Sequence, residues 1–436
     1  MSKVIFRKED SGKRSFVIKG DFAYSKGQNE IKTFKDGYLV SIEGISKGIF
    51  ERVPECYKGL EVIDYSGKLV IPGMVDLHIH APQYAFRGMY MDEELLDWLK
   101  KYTFIEESKY EDSDYARYAY SIFAGEMKKS ATTRACIFGT VHRGATIILM
   151  DEMEKSGVIS YVGKVNMDRD APKAILDTSA DMSAYNTFGW INEALEKYKR
   201  TKPILTPRFI PTCTKELLGE LKEIVHTYDI PIQSHLSENP GEVELVSKLM
   251  PDSDFYGDGY ELFDLFGKHA KTIMAHCIYS CEEEVKLMHK NGVYVAHCPS
   301  SNMNLSSGIA PIRKYIELGL NVGLGSDVAA GESESIFREI KTSIAVSKMY
   351  QRYIDPSAKP ISFPEAFWMA TLSGGSFFGK VGSFQEGYEI DAVILDDEKE
   401  LHPQPLGILE RLERSIYLGV DKNRIVAKFV AGENIL

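Results

Sequence analysis

The sequence predicts an α/β protein: a parallel (β/α)8, TIM-like barrel over residues 71–384, with a small β domain assembled from residues 1–70 and 385–436. Three observations carry this. Short apolar runs alternate with amphipathic helical stretches through the middle of the chain. Both ends are instead rich in β-branched and aromatic residues broken by Gly, Asp and Asn. Histidines and an aspartate fall where the central strands hand over to loops, the end at which such a barrel carries its chemistry.

The ends come first. SFVIKGDFAYS (15–25), DGYLVSIEG (36–44) and GIFERV (48–53) read as strands, as do DAVILDD (391–397) and SIYLGVDKNRIVAKFVAGENIL (415–436), with DKNR as a hairpin turn. Two β-rich ends around a long middle predict that they meet. In the middle, eight strand candidates follow one another: GMVDLHIH, TIILMD, YVGKVNMD, ILTPRFI, PIQSHL, TIMAHC, VYVAHC and NVGLGSD. Helices are expected between them at DYARYAYSIFAGEMKKS, NEALEKYKR, TKELLGELKEIVHTY, CEEEVKLMHKNG and IAPIRKYIELG. A doubly wound open sheet competes with the barrel, but it favours a GxGxxG turn after its first strand and none is present.

A chain of 436 residues with 44% hydrophobic and 26% charged residues is an ordinary globular composition. The formal net charge of −11 argues against a nucleic acid polymer as partner, though not against a single base. The six cysteines form no CxxC pair and no disulfide framework, so reduced thiols and a cytoplasmic location are expected. No membrane-spanning run and no secretory leader is expected, and hence no membrane partner.

In VDLHIHA, side-chain alternation puts Asp76, His78 and His80 on one face. His235, His276, His297, Arg208 and Asp327 also sit at strand ends. His142, His226, His269, His289 and His402 do not, and read as structural or surface residues. A lone strand-end histidine is as readily structural as functional, but together these suit a catalytic first-row metal with a position left for water. Cys277 and Cys298 follow histidines directly, so alternation turns them away as packing residues. A metal-activated water needs a proton shuttle, and Glu238 in SHLSEN stands beside His235. The same carboxylate also reads as a helix-start group, since SENPGEVE has the pattern of an N-terminal cap.

PGMVDLHIHA, HLSE, AHC and LGSD, in that order, resemble the amidohydrolase superfamily of metal-dependent hydrolases. HIHAPQYAFRG, LLDWLKKYTFIEE, LTPRF, SHLSENPGEVE, AHCPSSNMNLSSG and LGSDVAAG resemble its guanine deaminase family over most of the chain. The resemblance implies a composite β-sandwich from the two ends, and one divalent ion, zinc or else iron, on His78, His80, His235 and Asp327. It implies His276, Glu238 and Asp327 as catalytic residues, with Glu238 the proton shuttle. Gln83, Arg208 and Phe209 would hold the purine base beside His235, Glu238 and Asp327. His297 and Asp76 stay outside the ligand set. The fourth strand candidate offers Arg208 where binuclear relatives carry a carboxylated lysine, so one metal is expected. The HxE and PCxxC of the other deaminase architecture are absent.

The implied reaction is hydrolysis of a cyclic amidine C–N bond: guanine to xanthine and ammonia. Arg208 suits the C6 oxygen, Gln83 can both donate and accept, and a 6-amino group would meet Arg208 donor to donor. Another purine, pterin or triazine aminohydrolase is the neighbouring reading, and a non-catalytic assembly protein a remote one. A homodimer is expected from family habit. Trp98 and Tyr102 are candidates to cover the pocket, and segments 84–110 and 181–190 to form a lid.

Overall fold

The computed structural model describes residues 14–397, 401–419 and 422–436. The N-terminal stretch read for a leader, and Asp421 of the expected hairpin, lie outside these.

The two ends do meet. Strands Phe16–Gly27, Glu30–Ile42, Ile45–Phe50, Val62–Pro72, Ala392–Leu395, Ile425–Val430 and Glu433–Asn434 make one mixed sheet. Val62–Pro72 is its hinge, pairing parallel with Phe16–Gly27 on one side and antiparallel with Ala392–Leu395 on the other. The expected sandwich is therefore one seven-stranded sheet, because that strand has a partner on both edges. Its faces divide by alternation. Phe16, Ile18, Phe22, Val70, Ile394 and Phe429 share one apolar cluster, while Leu69, Ile71, Val393 and Leu395 join the large core of the molecule.

The middle of the chain is parallel strand and helix. Met74–His80, Thr132–Phe138, Ile159–Gly163 and Thr201–Pro203 form one parallel sheet, and Ile232–Leu236, Thr272–His276, Tyr294–His297 and Asn321–Leu324 another. Val165–Asn166 pairs with Thr206–Pro207, and Leu205 bridges to Ile232 between the two sheets. At the other side Asp327 N–H donates to His78 O (2.8 Å) and His80 N–H to Val328 O (3.2 Å). Met74 and Ile79 enter the large core while Val75 and Leu77 enter a second cluster with Ile273, Ala275 and Ala296. Strands covered on both faces read as continuous apolar runs for this reason. Among the described residues, no helix is long and apolar enough to cross a membrane.

Two expected elements are corrected. TIILMD is not a strand: it lies in the helix Arg143–Ser156, which ends on Gly157 at φ 82°. The strand in that place is TTRACIF (Thr132–Phe138), buried throughout. Arg134 and the threonines mask its apolar character, and Arg134 is satisfied by Asp391 and Glu389 from the end-built sheet. The SIYLGV run is also helical through Tyr417, in Ile408–Tyr417, which buries Leu412 and Ile416 at four-residue spacing. Read with ILERLER before it, that period is visible; read alone, the run looks like strand.

Candidate active site

His80, Arg208, His235, His276 and Asp327 line one cavity at the mouth of the parallel strands; His78 stands against Asp327 at its floor, and neither His78 nor His297 is part of its wall. The cavity is walled by His80, Gln83, Arg208, Phe209, His235, Glu238, His276 and Asp327, with Leu95, Trp98, Leu99, Leu305 and Ala330 completing it. Trp98 is thus where it was expected. Tyr102 instead stacks on Tyr90, and nothing from segment 181–190 reaches the wall.

The backbone is bent to bring these groups together. Ser237, His276 and Asp327 adopt φ of 49°, 71° and 46°, the left-handed region that side chains other than glycine rarely occupy. Gly325 lets the LGSD segment close on the first strand, since a Cβ there would lie 2.8 Å from His78 Cβ and 2.9 Å from Cys298 Sγ. Asp76 ties the same two segments from below. Its Oδ1 accepts from His78 N–H (3.1 Å) and Ser326 N–H (3.0 Å), and its Oδ2 from the Ser326 hydroxyl (2.6 Å). Burial pushes Asp76 up to about 7 despite those bonds.

At the centre, imidazole nitrogens face one another. His80 Nε2 lies 3.2 Å from both His78 Nε2 and His235 Nε2. Asp327 Oδ1 is 3.1 Å from His78 Nε2 and 3.5 Å from His80 Nε2. Nitrogens that converge this way cannot satisfy one another by hydrogen bonds alone, because a shared proton serves only one pair. Burial holds His78 below the usual imidazole range, and His80 and His235 well below it, which favours free lone pairs over ring protons. Burial alone would raise Asp327, but His78, His276 and His80 around it hold it well below the usual carboxylate range. His235 Nδ1 lies 2.6 Å from Arg208 O, an acceptor that fixes the proton on Nδ1 and aims the Nε2 lone pair inward. Neutral nitrogen donors, an ionised carboxylate and an outer-sphere anchor are what a divalent ion requires, so the residues present fit one.

His276 stands on the far side of Asp327. Its Nδ1 is 2.8 Å from Asn302 Oδ1, and its Nε2 is 3.4 Å from Glu238 Oε2 and 3.7 Å from Asp327 Oδ2. Burial lowers His276, yet Glu238 and Asp327 outweigh it and leave it above its usual value. Burial pushes Glu238 up to about 7, opposed by His276 and reinforced by Glu242 and Asp327. Ser307 donates to Glu238 Oε1 (3.1 Å). The helix-start role belongs to Asn239 and Glu242, which form the capping box of Pro240–Leu249 and leave the Glu238 side chain in the cavity.

One reading needs revision. Cys298 does not turn away: its Sγ lies within 4.8 Å of ligand atoms of His276 and Asp327, because the chain departs from extended geometry after His297. Cys277 is a core residue as expected, with its thiol on Met274 O. Sequence reasoning also missed Glu107, buried behind Arg208 and Gln83. It lies in KYTFIEE, where nothing in the local pattern separates a buried carboxylate from a solvated one.

A profile of the Amidohydrolase family matches residues 69–435. The guanine deaminase of Mus musculus is 35% identical over 444 residues, covering 97% of each chain. That of Escherichia coli (strain K12) is 34% identical over 373 residues, covering 84% of this chain and 82% of its own. The solved structure of guanine deaminase from C. acetobutylicum, with guanine bound in its active site, superposes with a TM-score of 0.93 at 44% identity, covering 97% of this chain and 100% of that one. The chain belongs to the amidohydrolase family, among the guanine deaminases.

Proposed function

We propose that the chain is a hydrolase that deaminates guanine at C2 to xanthine and ammonia. The observation that carries this is a proton-transfer carboxylate, Glu238, facing the same cavity as the converging imidazoles and as the donor wall of Arg208 and Gln83. The full-length likeness to guanine deaminases supports the substrate.

His78, His80, His235 and Asp327 would hold one divalent ion, with zinc matching a three-nitrogen, one-oxygen set and iron the alternative. Such an ion supplies a Lewis acid and lowers the pKa of a coordinated water to about 7. The chain's own groups do the rest. Arg208 and Gln83 hold the C6 oxygen, and Phe209 supplies an apolar wall. Asp327 Oδ2, turned from His78 toward His276, takes the proton of the attacking water. Glu238 delivers a proton to N3 as the new C2–O bond forms, and its raised pKa suits that exchange near neutrality. His276, its Nδ1 proton held by Asn302, orients the oxygen at the tetrahedral carbon. Asp327 then passes the proton it took to the amine, Glu238 recovers one from the new C2 hydroxyl as the C2 carbonyl forms, and the C2–N bond breaks to release ammonia.

The wider architecture is proposed on the same basis: a closed (β/α)8 barrel over 71–384, and a second domain from 1–70 and 385–436. The parallel strands with their linking hydrogen bonds and the end-built sheet support it. A cytoplasmic homodimer rests on the family resemblance and on the unpaired cysteines of the sequence.

Ammonia release from metal-replete protein, assayed on guanine, adenine, cytosine, a pterin and a triazine with chelated controls, tests this reading. Guanine turnover that disappears with the metal is expected. Turnover of a different ring would keep the mechanism and discard the substrate.

A further inference from the structure

We propose that Glu107, which does not line the cavity, is a positioning residue that makes the base-binding wall a donor-only surface and so sets its preference for 6-oxo purines. The inference rests on the deamination of guanine proposed above. Glu107 is on the helix Phe104–Ser108 and is 1% exposed. Its Oε2 accepts from Arg208 Nη1 at 2.6 Å, and its Oε1 from Gln83 Nε2 at 3.0 Å. One carboxylate thus holds both residues expected to read the base.

Its effect on the two is different. Arg208 is 2% exposed and faces a centre suited to a cation, so its charge needs a counter-ion; among the described residues Glu107 supplies it, with the Phe104 ring 5.3 Å from the guanidinium. For Gln83 the effect is orientation. A free carboxamide presents either its oxygen or its NH2 to a ligand. Here the oxygen accepts from Ala329 N–H at 3.2 Å while the nitrogen donates to Glu107. Flipping the amide would set oxygen against carboxylate and NH2 against N–H, two repulsive contacts in a buried place. Gln83 is therefore held with its second N–H as the group it can offer a base, beside the N–H groups of Arg208 that Glu107 does not take. The expectation that Gln83 both donates and accepts toward the base is replaced by one in which it donates. A carbonyl at C6 meets such a wall with acceptors, whereas an amino group leaves buried donors unpaired.

The test uses two bases that have no 2-amino group to lose: hypoxanthine, with the 6-oxo group, and purine, without it. Their Kd values are measured calorimetrically on metal-replete protein. Wild type is expected to favour hypoxanthine by at least about tenfold, the usual worth of charge-assisted hydrogen bonds. Glu107→Gln leaves one acceptor where two are needed and frees Gln83 to flip. The hypoxanthine-to-purine ratio should then fall about tenfold toward unity, with the purine Kd and bound metal within about twofold of wild type. A ratio that survives the substitution overturns the inference. So does a parallel loss for both bases, which is the signature of a merely structural residue. Should Glu107→Gln fail to fold, Glu107→Asp, which keeps the charge and retracts the oxygens by one methylene, is measured in the same way, and an unchanged ratio there overturns it equally. Ammonia release from guanine by wild type is recorded alongside: its absence would remove the proposed function, whereas its presence with an unaltered ratio in the variant removes only the role of Glu107.

Discussion

The mouth of the parallel strands and the seam between those strands and the end-built sheet are both crowded with buried charge, but they use it in opposite ways. At the seam the buried groups Arg134, Asp391 and Lys428 are each hydrogen-bonded within the protein. Arg134 makes a two-pronged contact with Asp391 (2.6 and 2.9 Å) and a third bond to Glu389 (2.6 Å), and Asp391 also accepts from Ala431 N–H (2.7 Å). Lys428 donates to the carbonyls of Met127, Lys128 and Ser130 at the end of a helix. At the mouth, imidazoles face imidazoles, Nδ1 of His78 and of His80 is buried without a partner, and the backbone is left-handed at His276 and Asp327. The seam's hydrogen bonds stabilise the fold as it stands; the mouth keeps polar capacity in reserve for a ligand.

The largest contrast is expected from His235. His235→Ala should lower bound metal at least about tenfold and take ammonia release to background, as loss of a metal ligand does. In chelated protein the same variant should melt no lower than wild type, because the ring it removes faces rings whose lone pairs repel its own. Elemental analysis and melting curves with and without chelator check both arms. Full metal occupancy would show that the ligand set is drawn wrongly; a lower Tm without metal would show that the mouth stabilises the fold after all.

Glu238→Gln sharpens the comparison from inside the mouth. It keeps the shape and the Ser307 contact but cannot carry a proton. Turnover should fall by about 10²–10⁴, the usual worth of a general acid–base group, at unchanged metal content. Wild-type rates would remove Glu238 from the mechanism.

Arg134→Ala should show the reverse profile. It leaves Asp391 buried without its counter-ion, an effect of about 3–5 kcal/mol on unfolding, yet the kcat of folded protein should stay within about twofold because the pair lies at the start of its strand, away from the reacting atoms. Denaturant unfolding of metal-free protein and initial rates separate the two quantities. Equal loss in both would mean that the seam holds the mouth in shape, and the division drawn between them would fall.

Much of this was legible because strand ends are legible. His78, His80, His235, His276 and Asp327 each close an apolar run; alternation aims His78 and His80, while left-handed backbone turns His276 and Asp327 to join them. What was hidden depends on partners far off in the sequence. TTRACIF was passed over because Arg134 has no visible counter-ion until Asp391 is brought beside it. Glu107 looks like any acidic residue of an amphipathic helix until Arg208 and Gln83 close over it. Cys298 was aimed the wrong way because alternation was carried one residue past the end of the strand Tyr294–His297. Period misleads wherever a run is short, as the helical SIYL segment shows.

The smallest effect concerns two carboxylates that burial alone would move in the same direction. Glu238 is pushed up to about 7. Glu365, equally removed from water, is held down to about 2, because burial is outweighed by Arg313, which donates twice at 2.8 Å, and by Ser362 N–H and hydroxyl, each also at 2.8 Å. For Glu365 the unfolded chain binds the proton more readily than the folded one. Its contribution is therefore complete above the ordinary carboxylate value near 4.3 and drains away as pH falls from there toward about 2. Glu365→Gln should lower Tm at pH 7 by several degrees, and that deficit should be distinctly smaller at pH 3.5 than at pH 5.5, since wild type loses below the carboxylate range what the variant never had. A deficit independent of pH would mean that Glu365 acts through packing and capping rather than through its charge, and that the opposition between Glu365, held by an arginine, and Glu238 at the mouth is not electrostatic in origin.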